Sequence, residues 1–340
     1  MYIKIIYRVI VFISLFWLLG CRSDYNPNLL KPKAKNNFGE ILFALDKKYW
    51  KDDLGQQIKN SFENLVKTTP LPYEKEYITD FVVPNKILKN IKNNNCFIFV
   101  EIESYNPKKT TPIIKTDLWA NGQLIIELKF NSKNSAINYF KTNSNEVKSI
   151  LKDFNLKKIT SNFSKNNILN LVLKDFVDLN FKAPKGFKLN KKSQNFWWWS
   201  KLEIQKDQNG SHEIQKGIIL YETPYLNKNQ FDGDFIISLN DSIGKKFLLG
   251  KDSSSFIQTV KNDFSSVIDT SFHINNKYVR LLKGCWTMTN DKMGGPFISY
   301  SWLSSNNSKV ITVQGYIYAP NFKKSKFLRE IEAIIVSGIK

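Results

Sequence analysis

KYVRLLKGCWTMT (277–289), PFISYSWLS (296–304) and KVITVQGYIYA (309–319) are three runs rich in β-branched and aromatic residues. Such residues suit a pleated, half-buried surface, so the runs read as a three-stranded meander. Between the first two, Asn290-Asp291 begins a turn. Gly294-Gly295-Pro296 permits positive dihedrals and then a rigid exit. Pro320 ends the meander, and residues 323–338 place Phe327, Ile331, Ile334 and Ile335 on one helical face.

Upstream, NFWWWSKLEI (195–204) and HEIQKGIILYETPY (212–225) read as another antiparallel pair, preceded by KAPKGFKL (182–189). Phe235, Leu239, Ile243 and Phe247 recur every four residues, which predicts a helix over 233–248. The first half has the same order of elements. GEILFALD (39–46) is a strand, and 51–66 is a helix whose first turn holds Asp52 and Asp53. EKEYITDFVV (74–83) and CFIFVEIE (96–103) are strands, with a short helix at 85–91. KTDLWA (115–120) and QLIIELKF (123–130) form a hairpin about Asn121-Gly122. Helical spacing runs through 132–180 and weakens at Asn162, Asn166 and Asn167. The expectation is an α+β class protein with antiparallel sheets packed with long helices. Two duplicated α+β units, 38–181 and 182–340, would produce that order.

The N-terminus carries a different signal. Lys4 and Arg8 precede the apolar run Val9 to Leu19. That run rises only about 16 Å as a helix, too short for a ~30 Å hydrocarbon core. Leu18-Leu19-Gly20-Cys21 then reads as a lipobox. Cleavage between Gly20 and Cys21 would discard residues 1–20 and leave a lipidated Cys21 as the new N-terminus. Leu19 is bulkier than the usual residue at the middle position. Residues 21–37 are polar, with two prolines, and read as a flexible tether. Arg22 follows the cysteine where Asp would suggest inner-membrane retention, so the tetrad points to an outer-membrane lipoprotein facing the periplasm.

The formal charge is +20. Arg occurs only at positions 8, 22, 280 and 329, so nearly all the basic residues are lysine. Nucleic-acid readers favour Arg for bidentate contacts, and nucleic acid is set aside as a partner. Attraction to anionic headgroups or acidic glycans stays open. Cys96 and Cys285 can pair in an oxidising envelope, but two buried thiols in separate strands are the simpler reading.

Two stretches are candidate sites. Trp286, Met288, Asp291, Gly294, Gly295, Pro296 and Phe297 form either a ligand floor with Asp291 as acceptor, or a shaped turn. Trp197, Trp198 and Trp199 form either a stacking platform for sugars or a strand covered on both faces. His212 and His273 are the only histidines and are expected to be exposed. No HExxH, GxSxG or phosphate-loop spacing occurs. No catalytic residue, metal or cofactor is therefore assigned.

Gly284-x-Trp286-x-Met288 followed by Asp291-x-Met293-Gly294-Gly295-Pro296-Phe297, with Cys21, LDKKYW (45–50), PLPYEKEYI (70–78) and DLWANGQ (117–123), resembles an uncharacterised lipoprotein family of the Bacteroidota. In that pattern Gly usually stands where this chain has Asn290, and no Cys is required at 285. The second point counts against Cys285 as a nucleophile. The resemblance implies an envelope address and a folded domain, and it implies no activity. The combined reading is a lipid-anchored, non-enzymatic binding or accessory subunit. Its membrane contact is the lipid, and its partner is an envelope protein or a glycan. The alternative is a carbohydrate-binding or glycan-acting periplasmic protein.

Overall fold

The computed structural model describes residues 31–35, 38–174, 176, 179–252, 254–262 and 265–339. The expected signal peptide, Gly20, Cys21 and the start of the tether lie outside the described residues.

The first unit is built on a five-stranded sheet. In chain order it comprises β1 (Glu40–Ala44), α1 (Lys47–Trp50), α2 (Asp53–Phe62) and the short pair β2 (Leu65–Val66) and β3 (Glu74–Lys75). Then come β4 (Ile78–Val82), β5 (Cys96–Ile102), β6 (Ile113–Thr116), β7 (Leu124–Phe130) and α3 (Lys133–Ser161). The sheet order is β4-β1-β5-β7-β6. Strands β4, β1, β5 and β7 are parallel, with Phe43 opposite Phe81 and Ile98; only the edge strand β6 is antiparallel. This corrects the expectation of antiparallel sheets for this half. The near-continuous apolar runs CFIFV and LIIEL are what a parallel sheet needs, because both faces are covered.

Helices α2 and α3 pack on one face around Phe43, Phe62, Ile98, Ile126 and Phe140. Ser132 caps α3, accepting from the Ser135 amide at 3.2 Å while the Ser135 hydroxyl closes the box. The other face bears a smaller cluster of Phe97, Ile125, Phe99 and Trp119; its cover is loop, and the expected short helix at 85–91 is reduced to two single 3-10 turns, Pro84–Lys86 and Ile91–Asn93. The hairpin turn is wider than Asn121-Gly122. Asp117, at φ 55°, accepts from the amides of Gly122 and Gln123, so residues 117–123 form the turn and Trp119 folds onto the sheet.

The second unit continues with α4 (Ile168–Val172), β8 (Lys188–Ser193), β9 (Phe196–Asp207), β10 (Gly210–Pro224) and α5 (Gly233–Phe247). It ends with β11 (Ile257–Thr259), β12 (Ile268–Ile274), β13 (Lys277–Met288), β14 (Gly294–Leu303), β15 (Lys309–Tyr318) and α6 (Ser325–Gly338). Eight strands form one antiparallel sheet, in order β11-β13-β14-β15-β10-β9-β8 with β12 also on β13, and it curls as a half-barrel. The expected meander is present as β13, β14 and β15. Leu169, Leu173, Leu179, Phe181, Ala183 and Phe187 pack into the core of this sheet beside α6.

One sheet is mostly parallel and the other wholly antiparallel, so the two units are not copies of one plan. Strand, at about 40%, outweighs helix, at about 29%. Among the described residues only α3, with 29 residues, is long, so sheets packed with long helices is also corrected. No described helix is long and apolar enough to cross a membrane.

Helix α6 joins the units. It lies between the large sheet and α3. On the sheet side, a Cβ at Gly315 would sit 1.9 Å from Ile331 Cγ2, so glycine sets how closely α6 approaches. Lys324, at the start of α6, has no capping side chain of its own. The Glu74 carboxylate of the first unit accepts from the Lys324 and Ser325 amides at 2.6 and 3.0 Å. Arg329 donates to the Glu76 carbonyl at 2.8 Å.

Candidate functional site

The C-terminal block converges, but onto a filled interior. Leu282, Trp286, Phe297 and Tyr316 share the face of the large sheet covered by α5. Trp286 Nε1 donates to the Ile317 carbonyl at 3.3 Å, and its ring meets Tyr316 edge-on at 5.4 Å. Trp198, half-buried on the same face, donates from Nε1 to the Tyr316 hydroxyl at 3.0 Å. Trp198, Trp286 and Phe297 are thus brought together. Trp197 and Trp199 point to the opposite face and are buried in the cluster that holds α6, Leu169, Leu173, Phe176 and Phe181. The Trp triplet is therefore a strand covered on both sides.

The glycines here serve packing. A Cβ on Gly217 would lie 1.9 Å from the Tyr316 ring, and one on Gly284 would lie 2.9 Å from the Phe297 ring. Gly294 and Gly295 are strand residues of β14, and Pro296 pairs with Cys285. A Cβ on Gly295 would meet the Ile317 carbonyl at 1.9 Å. The positive φ of the turn falls on Asn290, at 57°, and not on Gly294 or Gly295. Asp291 is exposed in that turn and accepts from the Lys292 amide at 2.5 Å. Met288 is buried, with its amide donating to the Met293 carbonyl. The block is a shaped turn joining two packed strands.

Beneath α5, the Tyr221 hydroxyl donates to Asn240 Oδ1 at 2.6 Å. Tyr221, Asn240, Gln314 and Trp286 border a void of about 10 Å³, room for about one water. Burial pushes the Tyr221 and Tyr316 hydroxyls well above their ordinary range, so both stay protonated donors.

The open concavities lie in the first unit, along β1 and β4. A cleft of about 370 Å³ is bordered by Glu40, Leu42, Ile78, Asp80 and Asn95. A basin of about 650 Å³ opens at the carboxyl ends of the same strands, bordered by Trp50, Phe81, Asp52, Asp53, Gln56 and Lys59. Strand order reverses about β1. The crevice that such a reversal opens lies between β1 and β5, so the basin beside β4 is formed by its own walls and not by the switch point. Trp50 stacks on Phe81 at 5.2 Å, and Lys59 Nζ lies 5.1 Å from the Trp50 ring centre.

Asp52 flanks the start of α2, and Lys133 in the first turn of α3 reaches Asp52 and Asp53 at 2.7 and 2.9 Å. The hydrogen bond from Lys133, then the Asp53 amide, holds the Asp52 carboxyl below its usual range. Its hydrogen bonds to the Asp52 and Asp53 carboxylates raise Lys133 to about 12. The basin thus offers an aromatic wall and a hydrogen-bonding rim whose two carboxylates share one lysine partner. Sequence reasoning missed it, because Trp50, at the end of α1, and Phe81, in β4, meet only once β1 and β4 pair in parallel. The one local signal is the acidic helix start at Asp52-Asp53.

The thiols of Cys96 and Cys285 are buried and unpaired. Burial pushes Cys96 up to about 12 and raises Cys285. His212 is half-buried between Asp207 and Asn321, at 3.0 and 2.7 Å, whereas His273 is exposed. Among the described residues no group of three or more His, Cys, Asp or Glu is placed to hold a metal ion.

No curated protein matches this chain. A family model for a domain of unknown function, DUF8532, matches residues 34–164, which cover the first unit through α3. A second, for the domain of unknown function DUF4837, matches residues 165–337, just over half of the 340 residues. The models meet between α3 and α4, where the core changes from one sheet to the other. The chain belongs to the DUF4837 family.

Proposed function

We propose that this protein is a lipid-anchored lipoprotein of the cell envelope that acts by binding, as an accessory subunit, and performs no chemistry of its own. The Leu18–Cys21 tetrad supports the anchor. Every described element begins after residue 30, so cleavage before Cys21 would remove none of them. The observation that carries the binding role is the basin at Trp50 and Phe81. Its two carboxylates are held by Lys133, which suits recognition by shape and hydrogen bonds better than proton transfer. Arg22 favours the outer membrane, facing the periplasm.

Glycan binding is a second reading. It moves from Trp197–Trp199, which the core uses, to this basin, whose Trp50, Asp52 and Gln56 present an aromatic edge beside hydrogen-bonding groups.

Cys21→Ala is the test. Wild type should incorporate labelled palmitate, sediment with outer membranes and resist extraction by salt. The variant should incorporate none and appear in the soluble fraction. An unchanged distribution, or release of wild type by salt alone, overturns the anchor.

A further inference from the structure

We infer that the loop-covered face of the five-stranded sheet is a membrane-docking surface that lies against anionic headgroups. This inference rests on lipidation at Cys21. The large sheet, α6, α3 and the small sheet are stacked in that order. The loop-covered face is therefore the side turned away from the second unit.

The point where the chain joins the fold selects this face. Residues 31–35 are stitched to its loops. Ala34 donates to the Asn121 carbonyl at 2.9 Å, Asn121 to the Pro32 carbonyl at 2.8 Å, and Lys35 to the Asn93 carbonyl at 2.7 Å. Lys31 Nζ donates to the Asp117 carbonyl at 2.7 Å. Ten residues separate Lys31 from Cys21, a reach of at most about 35 Å. A lipid on Cys21 therefore keeps loops 84–94 and 117–122 close to the bilayer.

Those loops have the composition of a bilayer interface. Leu88 is 64% exposed and Leu118 44% exposed. Ile113, on the same face of the edge strand β6, is 45% exposed. Half-buried Trp119 packs on Phe97 and Phe99, with Lys92 Nζ 5.6 Å from its ring. Trp at such a boundary places an amphipathic ring at headgroup depth.

Charge points the same way. Loop 84–94 contains Lys86, Lys89 and Lys92 and no acid, and 31–35 contains Lys31, Lys33 and Lys35 and no acid. Lys86, Lys89 and Lys92 have no carboxylate partner among the described residues. Of the nearby acids, Glu127 is paired with Lys115 at 2.5 Å, and Asp117 is occupied by turn amides. Glu101 is paired with Lys129 at 3.6 Å, and Glu40 and Asp80 line the cleft by β4 that Ile91 and Asn94 of the same loop also border, so the positive side of this face is the one carrying Lys86, Lys89 and Lys92. Each lysine near an anionic surface contributes roughly fivefold in affinity at low salt, falling off within a Debye length.

The lipidated chain, reconstituted in phosphatidylethanolamine vesicles with phosphatidylglycerol as the anionic component, tests this. A polarity-sensitive fluorophore is placed on Leu88→Cys and, as a control, on Leu226→Cys, beside α5 in the second unit; Cys96 and Cys285 are buried and should stay unlabelled. The probe at 88 should shift to the blue and be quenched by brominated acyl chains, and the probe at 226 should not. An aqueous probe at 88, or equal responses at both sites, overturns the docking face; the first of these would leave the loops to a protein partner.

The unlipidated Cys21→Ala chain provides the second measurement. Its affinity for the same vesicles at low salt should fall on the order of a hundredfold when Lys86, Lys89 and Lys92 become Gln. An unchanged affinity overturns the inference. The two ideas fail separately. Wild type without acyl incorporation removes the anchor, whereas an acylated protein with an aqueous probe at 88 removes only the face.

Discussion

Glu332 is the charge that fastens the two units together, and replacing it by Gln should show this. It is buried on α6. It accepts from the Tyr300 hydroxyl at 2.7 Å, and it lies 2.9 Å from Lys152 of α3 and 3.4 Å from Lys283 of β13. Burial alone would raise its carboxyl. Lys283, Lys152 and the Tyr300 hydrogen bond outweigh burial and bring it down to about 2, from an ordinary 4.5. That difference corresponds to roughly 3 kcal/mol of stability. Lys152 and Lys283 keep partial access to water, so both can be hydrated once the carboxylate is gone. Glu332→Gln should accordingly cost about 2–3 kcal/mol at pH 7, the lower end for a broken buried pair.

The sign with pH follows from a depressed carboxylate. The advantage of wild type over Glu332→Gln is complete above the unfolded value near 4.5 and is lost as pH falls through about 2. By pH 3 about half of it should be gone. Denaturant unfolding of both proteins at pH 7 and pH 3 measures this. A cycle with Lys152→Met, whose partner sits in the other unit, should give a coupling of about 1 kcal/mol. A loss below about 0.5 kcal/mol at pH 7, or a loss independent of pH, would refute the assignment.

Three further outcomes are expected. Gly315→Ala should destabilise by about 1–3 kcal/mol in thermal unfolding, because the new methyl meets Ile331 and α6 must lift from the sheet. Glu74→Ala should cost about 1 kcal/mol by denaturant unfolding and speed amide exchange at Lys324 and Ser325, whose donors lose their acceptor. In the Cys21→Ala chain, a thiol reagent at pH 8 should find no reactive cysteine in the native protein and two in denaturant. Finding none in denaturant would indicate a disulfide instead.

Much of the second unit is legible in the sequence because its signals are local. β-branched and aromatic runs divided by turns give β13, β14 and β15, and the four-residue recurrence from Phe235 to Phe247 gives α5. Strand direction in the first unit is not local. CFIFVEI and LIIELKF have one composition in either direction, and the connection between them decides that they run parallel. The 117–123 turn is wider than its Asn-Gly signal for a related reason: Gln123 donates to the Lys92 and Asn94 carbonyls, in another loop, at 2.6 and 2.7 Å. Trp197–Trp199 stood out by composition, yet their fate depends on α5 on one face and α6 on the other. The Trp50 basin is silent in the sequence, because each wall is an ordinary strand or helix end until the sheet assembles.

Within the lysine excess, two groups stand apart from lysines scattered over the surface, such as Lys108, Lys109, Lys188, Lys191, Lys192 and Lys251. Lys133, Lys152, Lys216 and Lys283 sit at junctions between elements, each within reach of a carboxylate; Lys216 is buried between Glu203 and Glu330 at 3.0 and 2.6 Å. These hold the layers together. Lys86, Lys89 and Lys92 belong to one loop without acids, on the face farthest from the second unit. Drift in surface composition accounts for the scattered lysines, but it gives no reason for three of them to lie with Leu88, Leu118 and Trp119 where residues 31–35 enter the fold. Charge that neutralises nothing inside the molecule is best placed where an outside anion can meet it. In the docking we propose, the entry point of the chain is what turns that side toward the bilayer.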